Sequence, residues 1–96
     1  MADLEVAEIP HPSGNLKFRY SRYQSDDGTK WIRHGLFRAY HENGVLASEG
    51  TYEQGVENGI WCDYHPNGTL AAQGNYENGK EIALWRYWNE DGSLSV

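Results

Sequence analysis

Two stretches of the chain carry nearly the same pattern, and together they decide the fold. Residues 35–57 read GLFRAYHENGVLASEGTYEQGVE, and residues 59–81 read GIWCDYHPNGTLAAQGNYENGKE. A shift of 24 residues superimposes one on the other. The recurring structural positions are glycines and aromatic rings: Gly35, Phe37, Gly44, Gly50, Tyr52, Gly59, Trp61, Gly68, Gly74, Tyr76 and Gly79. A fixed period of this length is typical of repeat architectures.

The repeat extends in both directions. A shorter third copy starts at Ala83 and carries Trp85 and Gly92. Upstream, residues 11–16 (HPSGNL) match residues 65–70 (HPNGTL) at a longer spacing. We therefore expect one domain over residues 1–96. It comprises a degenerate N-terminal capping hairpin and three repeats, with boundaries at 1–33, 34–57, 58–81 and 82–96.

Turn signals recur about every 11–13 residues. Asn43-Gly44, Asn67-Gly68 and Asp91-Gly92 are strong signals for a two-residue type I′ turn, whose central residues need positive φ. Asn78-Gly79 is a second turn of this kind, and Gln54-Gly55 is its weaker counterpart. The strands between them are rich in aromatic residues and poor in aliphatic ones. The pattern predicts an all-β antiparallel meander with almost no helix.

A two-residue loop at Asn67-Gly68 would set Trp61 opposite Gly74 and His65 opposite Leu70. A ring opposite a glycine fills the space of the missing side chain. We expect one face, the core, to carry Phe37, Leu46, Tyr52, Trp61, Leu70, Tyr76, Trp85 and Leu94. The half-polar face would carry Tyr40, Tyr64 and Trp88, with Arg38, Glu49, Cys62 and Gln73 between them. Longer loops would exchange the two faces.

The unit can be written G-x-[FW]-x-x-Y-[HN]-x-[ND]-G-x-L-x-x-x-G-x-Y-x-x-G-[KV]-x-x. This pattern resembles the MORN repeat, in particular the variant class of small bacterial antitoxin-type and cell-surface proteins. The resemblance covers residues 34–96 well and 9–33 loosely, and it departs from the family pattern at Val56 and Ala83. It implies stacked β-hairpins in one elongated, twisted and curled sheet that binds or scaffolds rather than catalyses.

Charge is distributed unevenly along the chain. The whole sequence holds 8 basic and 14 acidic residues, a net charge of −6. Residues 1–38 are near neutral, whereas residues 39–96 hold two basic and nine acidic groups, net −7. Acidity of this kind argues against direct binding of nucleic acid or an anionic membrane. It favours a protein partner with a basic surface, such as a toxin, nuclease or defence effector; the alternative is that the acidity serves solubility alone.

The predicted function is a non-enzymatic protein-binding module, a small inhibitor of antitoxin, immunity or anti-defence type. The predicted partner-binding residues are acidic and aromatic: Tyr40, Glu42, Glu49, Tyr64, Asp63, Glu77, Trp88 and Glu90. The alternative is a scaffolding module or a homodimer formed through the edge strand at residues 85–96. Lipid binding is less favoured because the repeat region is acidic.

No motif for catalysis, a metal or a cofactor is evident. His41 and His65 share one repeat position, and their spacing of 24 matches no metal motif, so we expect them to pack across the hairpin on Leu46 and Leu70. A basic, ring-rich segment at residues 17–33 could suit nucleic acid, but the reading as an end hairpin is preferred. The single Cys62 and an acidic N-terminus without an apolar run predict a cytoplasmic protein.

Overall fold

The computed structural model describes residues 3–95 and contains one sheet of seven antiparallel strands. Each strand pairs with its neighbours in sequence, in the order β1 to β7. The strands are β1 (Glu5–Pro10), β2 (Leu16–Gln24), β3 (Trp31–Tyr40), β4 (Leu46–Glu53), β5 (Val56–Tyr64), β6 (Leu70–Glu77) and β7 (Lys80–Tyr87). The described part of the chain has no helix. The prediction of an all-β meander of stacked hairpins is confirmed.

The loop between β5 and β6 differs from the predicted turn. The Gly68 amide donates to the His65 carbonyl at 2.8 Å, and the His65 amide donates to the Thr69 carbonyl at 2.8 Å. Gly68 has φ +92°, whereas Asn67 is not among the residues with positive φ. This is a type I turn followed by a left-handed glycine, a three-residue loop. The prediction of a type I′ turn here is wrong, because Pro66 suits the first central position of a type I turn.

The same loop recurs at Gly14, Gly44 and Gly92, each of which donates its amide to the carbonyl three residues earlier. At the other ends of the strands, the predicted type I′ turns are confirmed. Gln54-Gly55 has φ values of +50° and +92°, and Asn78-Gly79 has +51° and +83°. These two-residue loops join β4 to β5 and β6 to β7.

The predicted register is confirmed in the body of each hairpin and fails beside the longer loops. Trp61 pairs with Gly74 as predicted, but Leu70 pairs with Tyr64 instead of His65. Ala71 is left without a partner on β5, and this bulge absorbs the extra loop residue. The hairpin of β3 and β4 repeats the shift.

This shift moves three leucines to the other face, because a slip of one residue reverses the side on which a side chain lies. Cross-strand partners share a face. Leu46 pairs with Tyr40, Leu70 with Tyr64 and Leu94 with Trp88. The prediction that these leucines lie with Phe37 and Trp61 is therefore wrong.

The sheet is a single thin layer. Its Cα atoms span 47 × 36 × 15 Å with a radius of gyration of 14.9 Å, against about 12.5 Å for a compact domain of this length. The accessible surface is 6513 Å², against about 5,600 Å² for a typical monomer of this mass. Among the described hydrophobic residues only Ala7, Phe37, Trp61 and Ala72 are buried. Much surface is thus left open to a partner.

Glycines in the strands make room for aromatic rings, but each ring comes from a different strand than the one predicted. Phe37 pairs with Gly50, as predicted. However, the space above Gly50 is filled by the indole of Trp61 from the next hairpin, and Trp85 covers Gly74 in the same way. A β-carbon at either glycine would overlap the indole. Each indole therefore locks its own hairpin onto the preceding one.

The loops also bind one another. The Nε2 atoms of His11, His41 and His65 each donate to a backbone carbonyl of the following hairpin, at 2.8, 2.8 and 2.7 Å; the acceptors are Tyr40, Tyr64 and Trp88. Asparagine side chains make similar contacts beside them. The Nδ2 atoms of Asn15, Asn43 and Asn67 donate to the backbone carbonyls of Glu42, Pro66 and Glu90, at 2.8, 2.9 and 2.9 Å. The repeated His and Asn residues thus join successive loops, a role that the sequence analysis did not foresee.

Candidate protein-binding surface

One face of the sheet carries a continuous row of rings, which we call the ring face. Neighbouring rings lie 5.2 to 5.9 Å apart between centroids, many in edge-to-face geometry. Its members are Phe18, Tyr20, Phe37, Tyr52, Trp61, Tyr76 and Trp85. Such contacts between aromatic side chains contribute about 0.5–1.5 kcal/mol each beyond burial. The row therefore replaces an aliphatic core and remains partly open to solvent.

A guanidinium covers the row at its N-terminal end. Arg33 lies over the rings of Tyr20, Phe37 and Tyr52, at 4.8, 5.5 and 5.4 Å from their centroids. Its Nη1 donates to the Tyr52 hydroxyl at 3.3 Å. This arrangement is a cation–π contact with several rings at once.

Acidic side chains take the equivalent place further along. A shift of 24 residues carries Arg33 to Glu57, and a second shift carries it to Glu81. Glu57 pairs with Tyr52 and Glu81 pairs with Tyr76, so both lie on the ring face. The sign of the charge beside the rings therefore reverses from the N-terminal to the C-terminal half.

These acids act on the tyrosine between them. Partial burial raises the pKa of Tyr76, and the charges of Glu81, Glu57 and Asp63 raise it further. Asp63 also lies on the ring face, where it accepts a hydrogen bond from Ser48 Oγ at 2.7 Å. Three carboxylates thus surround the C-terminal part of the ring row.

The opposite face combines charged and aliphatic side chains. Arg38 and Glu49 form an ion pair at 2.6 Å, and this contact raises the pKa of the guanidinium. Burial raises the pKa of Tyr64 beside Cys62. Three aliphatic side chains at 24-residue spacing stand exposed there, namely Leu36 at 47%, Ile60 at 63% and Leu84 at 91%.

The predicted binding residues do not form one surface. Alternation along the strands places most of them on the opposite face: Tyr40, Glu49, Tyr64, Glu77 and Trp88. Glu42 and Glu90 lie in the loops, where their carbonyls accept from Asn15 and Asn67. Asp63 alone lies on the ring face. The ring face itself was predicted only as core, although the change from Arg33 to Glu at the equivalent positions signals a change of role.

Ion pairs are confined to the first half of the sheet. Those of the described residues are Arg19–Glu8, Arg22–Glu5 and Arg38–Glu49. Within residues 3–95, eight carboxylates of the repeat region have no basic group within salt-bridge distance: Glu42, Glu53, Glu57, Asp63, Glu77, Glu81, Glu90 and Asp91. Their negative field is therefore not cancelled within this part of the chain.

Residues 3–95 hold no group of three or more His, Cys, Asp and Glu side chains placed to bind a metal ion. The same stretch contains no helix long and apolar enough to cross a membrane.

No curated protein and no solved structure gives a significant match to the chain. Two segments, residues 33–54 and 57–78, each match the family model of the MORN repeat variant. Repeats of this kind are generally protein- or membrane-binding modules. The two central hairpins of this chain are therefore similar to MORN-variant repeats, which confirms the resemblance seen in the sequence for this part of the molecule.

Proposed function

We propose that this chain is a non-enzymatic protein-binding module that covers a basic surface of an effector, as a small inhibitor of antitoxin, immunity or anti-defence type. The observation that carries the proposal is the open ring face bordered by unpaired carboxylates. Glu57, Asp63 and Glu81 lie beside the rings without a basic partner among residues 3–95.

Two physical effects favour such a partner. The acidic half steers a basic protein during encounter, which raises the association rate at low salt. Partly exposed Trp and Tyr side chains then supply the large contact areas that dominate binding energy at interfaces. The sheet offers both properties on one layer whose Cα atoms span 47 × 36 Å.

Affinity capture from the native host tests the proposal. We expect the immobilised chain to retain a basic protein at low salt and to release it as the salt concentration rises. Recovery of only neutral partners, or capture that is unchanged at high salt, contradicts the electrostatic mechanism. Flotation with anionic vesicles tests the membrane alternative, and co-flotation of the chain would favour that alternative.

Self-association is a second candidate, favoured by the outer edge of β7. Only one end of this edge is covered: Trp88 bridges to Leu94, and the Ser95 amide donates to the Tyr87 carbonyl at 2.8 Å. The rest of the strand has no partner strand among residues 3–95, and Ile82 and Leu84 are exposed. Such an edge can pair with a second copy.

Light scattering distinguishes the two candidates. A dimer that Leu84→Lys disrupts and Leu36→Lys does not would place the contact at the β7 edge. A wild-type chain that remains monomeric at high concentration excludes edge pairing.

A further inference from the structure

We infer that the ring face contains a binding site for an arginine side chain of the partner, formed by Tyr76, Glu57 and Glu81. The inference rests on the proposed function, since it specifies the group by which a basic partner is held. It follows from a comparison of the hairpins within this chain.

The hairpin of β3 and β4 shows how the ring face holds a guanidinium. Arg33 stacks over Phe37 and Tyr52 and donates to the hydroxyl of Tyr52 at 3.3 Å. The contact uses the chain's own arginine, so that end of the face is already occupied.

The next hairpin repeats the rings without the cation. A shift of 24 residues carries Phe37 to Trp61 and Tyr52 to Tyr76, whereas Arg33 becomes Glu57. Trp61 and Tyr76 meet in edge-to-face geometry at 5.9 Å, close to the 5.4 Å between Phe37 and Tyr52. The surface that binds a guanidinium in one unit therefore recurs in the next with a carboxylate beside it.

The substitution strengthens the site for an external cation. Trp61 is only 7% exposed, so an external cation would contact the partly exposed ring of Tyr76, the equivalent of Tyr52. Tyr76 pairs with Glu81 on β7 and with Gly59 on β5. Glu57 lies two residues before Gly59 on the ring face, about 12 Å from Glu81 between backbones. A guanidinium over the Tyr76 ring can thus form a charge-assisted hydrogen bond to one carboxylate while the other adds attraction.

Arginine suits the site better than lysine. Its guanidinium is planar, weakly hydrated and able to stack on a ring while its edge donates to a carboxylate. A lysine ammonium is a compact and strongly hydrated charge, so it gains less from the rings. The internal example in this chain is also an arginine.

The full chain should be titrated with a blocked arginine peptide and with its lysine analogue, with NMR shifts of the Trp61 indole N–H as the readout. We expect the arginine peptide to bind more tightly than the lysine peptide. We expect Glu57→Gln with Glu81→Gln to weaken arginine binding by about 10-fold or more, the effect of losing a charge-assisted hydrogen bond. The matched control is Glu53→Gln with Glu77→Gln, which removes the same charge from neighbouring positions on the opposite face.

A second variant fills the site from within. Glu57→Arg introduces the residue type that the hairpin of β3 and β4 carries at the equivalent position, Arg33, so its guanidinium should cover Tyr76. We expect the folded variant to lose arginine binding by more than about tenfold. Glu53→Arg, with the same change of charge on the opposite face, should keep most of it.

The outcomes separate the site from the wider function. If the two double variants weaken arginine binding equally, the effect is one of diffuse charge and the site is wrong. Tighter binding of the chain to phosphocholine vesicles than to the arginine peptide also overturns the site. If the partner is captured equally by wild type and by Glu57→Gln with Glu81→Gln, the arginine site is wrong and the protein-binding function stands. If arginine binding follows the expected pattern but no basic partner is captured, the site stands and the inhibitor role is wrong.

Discussion

Replacing the two strand glycines by alanine tests whether indole rings hold successive hairpins together. At Gly50 and Gly74 a β-carbon would overlap the indole of Trp61 and Trp85 respectively, so the ring must move by well over an ångström. Neither glycine has positive φ, and alanine therefore causes no backbone strain. The cost of each substitution comes from the displaced indole.

The two sites should differ in magnitude. Trp61 is 7% exposed, contacts Phe37, Tyr52 and Tyr76, and donates from Nε1 to the Thr51 carbonyl at 3.2 Å. Trp85 contacts only Tyr76 among the aromatic pairs of the described residues. With about 1 kcal/mol for each ring contact or hydrogen bond, Gly50→Ala should cost about 4 kcal/mol and Gly74→Ala about 1 kcal/mol.

Urea unfolding followed by far-UV circular dichroism measures these costs without relying on tryptophan emission. A double-mutant cycle then assigns the cost of Gly74→Ala to the ring. In a Trp85→Ala background the same substitution should cost nothing, and it should stabilise by up to about 0.5–1 kcal/mol because glycine is unfavourable in a strand. An equal cost in both backgrounds would refute the reasoning, as would a larger cost at Gly74 than at Gly50.

Three further predictions concern single residues. Ala83 has φ +58°, a backbone conformation that is strained for a residue with a β-carbon. Ala83→Gly should therefore stabilise the fold by about 1 kcal/mol, measured by thermal unfolding. The control Ala72→Gly, at a buried strand position, should destabilise the fold. Asn67→Asp keeps the side-chain acceptor for the Thr69 amide but loses the donor to the Glu90 carbonyl. It should therefore lower the free energy of unfolding by about 1 kcal/mol. Asp91→Asn, at the equivalent loop position, should change this free energy little, because no further loop follows within residues 3–95. Hydrogen bonds from Ser25 and Thr29 lower the pKa of Asp27 to about 2, so the loop is stabilised above pH 3.8 and loses this contribution as the pH falls toward 2. A carboxyl NMR titration should show the low midpoint in the wild type and a higher midpoint when both Ser25 and Thr29 are alanine. That midpoint should stay below 3.8, because the backbone amide of residue 29 still donates to Asp27; an unchanged midpoint would contradict this cause.

The sequence predicted the strand order and the register of the hairpins because both depend on local signals. Asn78-Gly79 and the 24-residue spacing are sufficient to place turns and to align strands. The three-residue loops were missed because Asn-Gly fits two turn types, and the choice depends on the preceding residue, such as Pro66. A difference of one loop residue then misplaced Leu70, although the bulge at Ala71 restored the register further along.

Contacts between hairpins were harder to predict than contacts within one. A glycine has two neighbouring strands, and the sequence does not state which of them supplies the ring. Trp61 was expected to fill the space at Gly74, its partner across the hairpin, whereas Trp85 from the next hairpin covers this glycine. The face predicted as core does hold the buried Phe37 and Trp61, while Tyr52, Tyr76 and Trp85 on the same face remain partly exposed.

The way in which the hairpins are joined also explains why one position can differ in charge between repeats. Hydrogen bonds from the loop His and Asn residues, together with indoles over glycines, connect successive hairpins. None of these contacts involves the side chain at positions 33, 57 and 81. That position can therefore carry arginine in one unit and glutamate in the next without loss of stacking. The hydrogen bonds and indoles that join the hairpins are thus independent of this position, which the proposed function assigns to partner binding at Glu57 and Glu81.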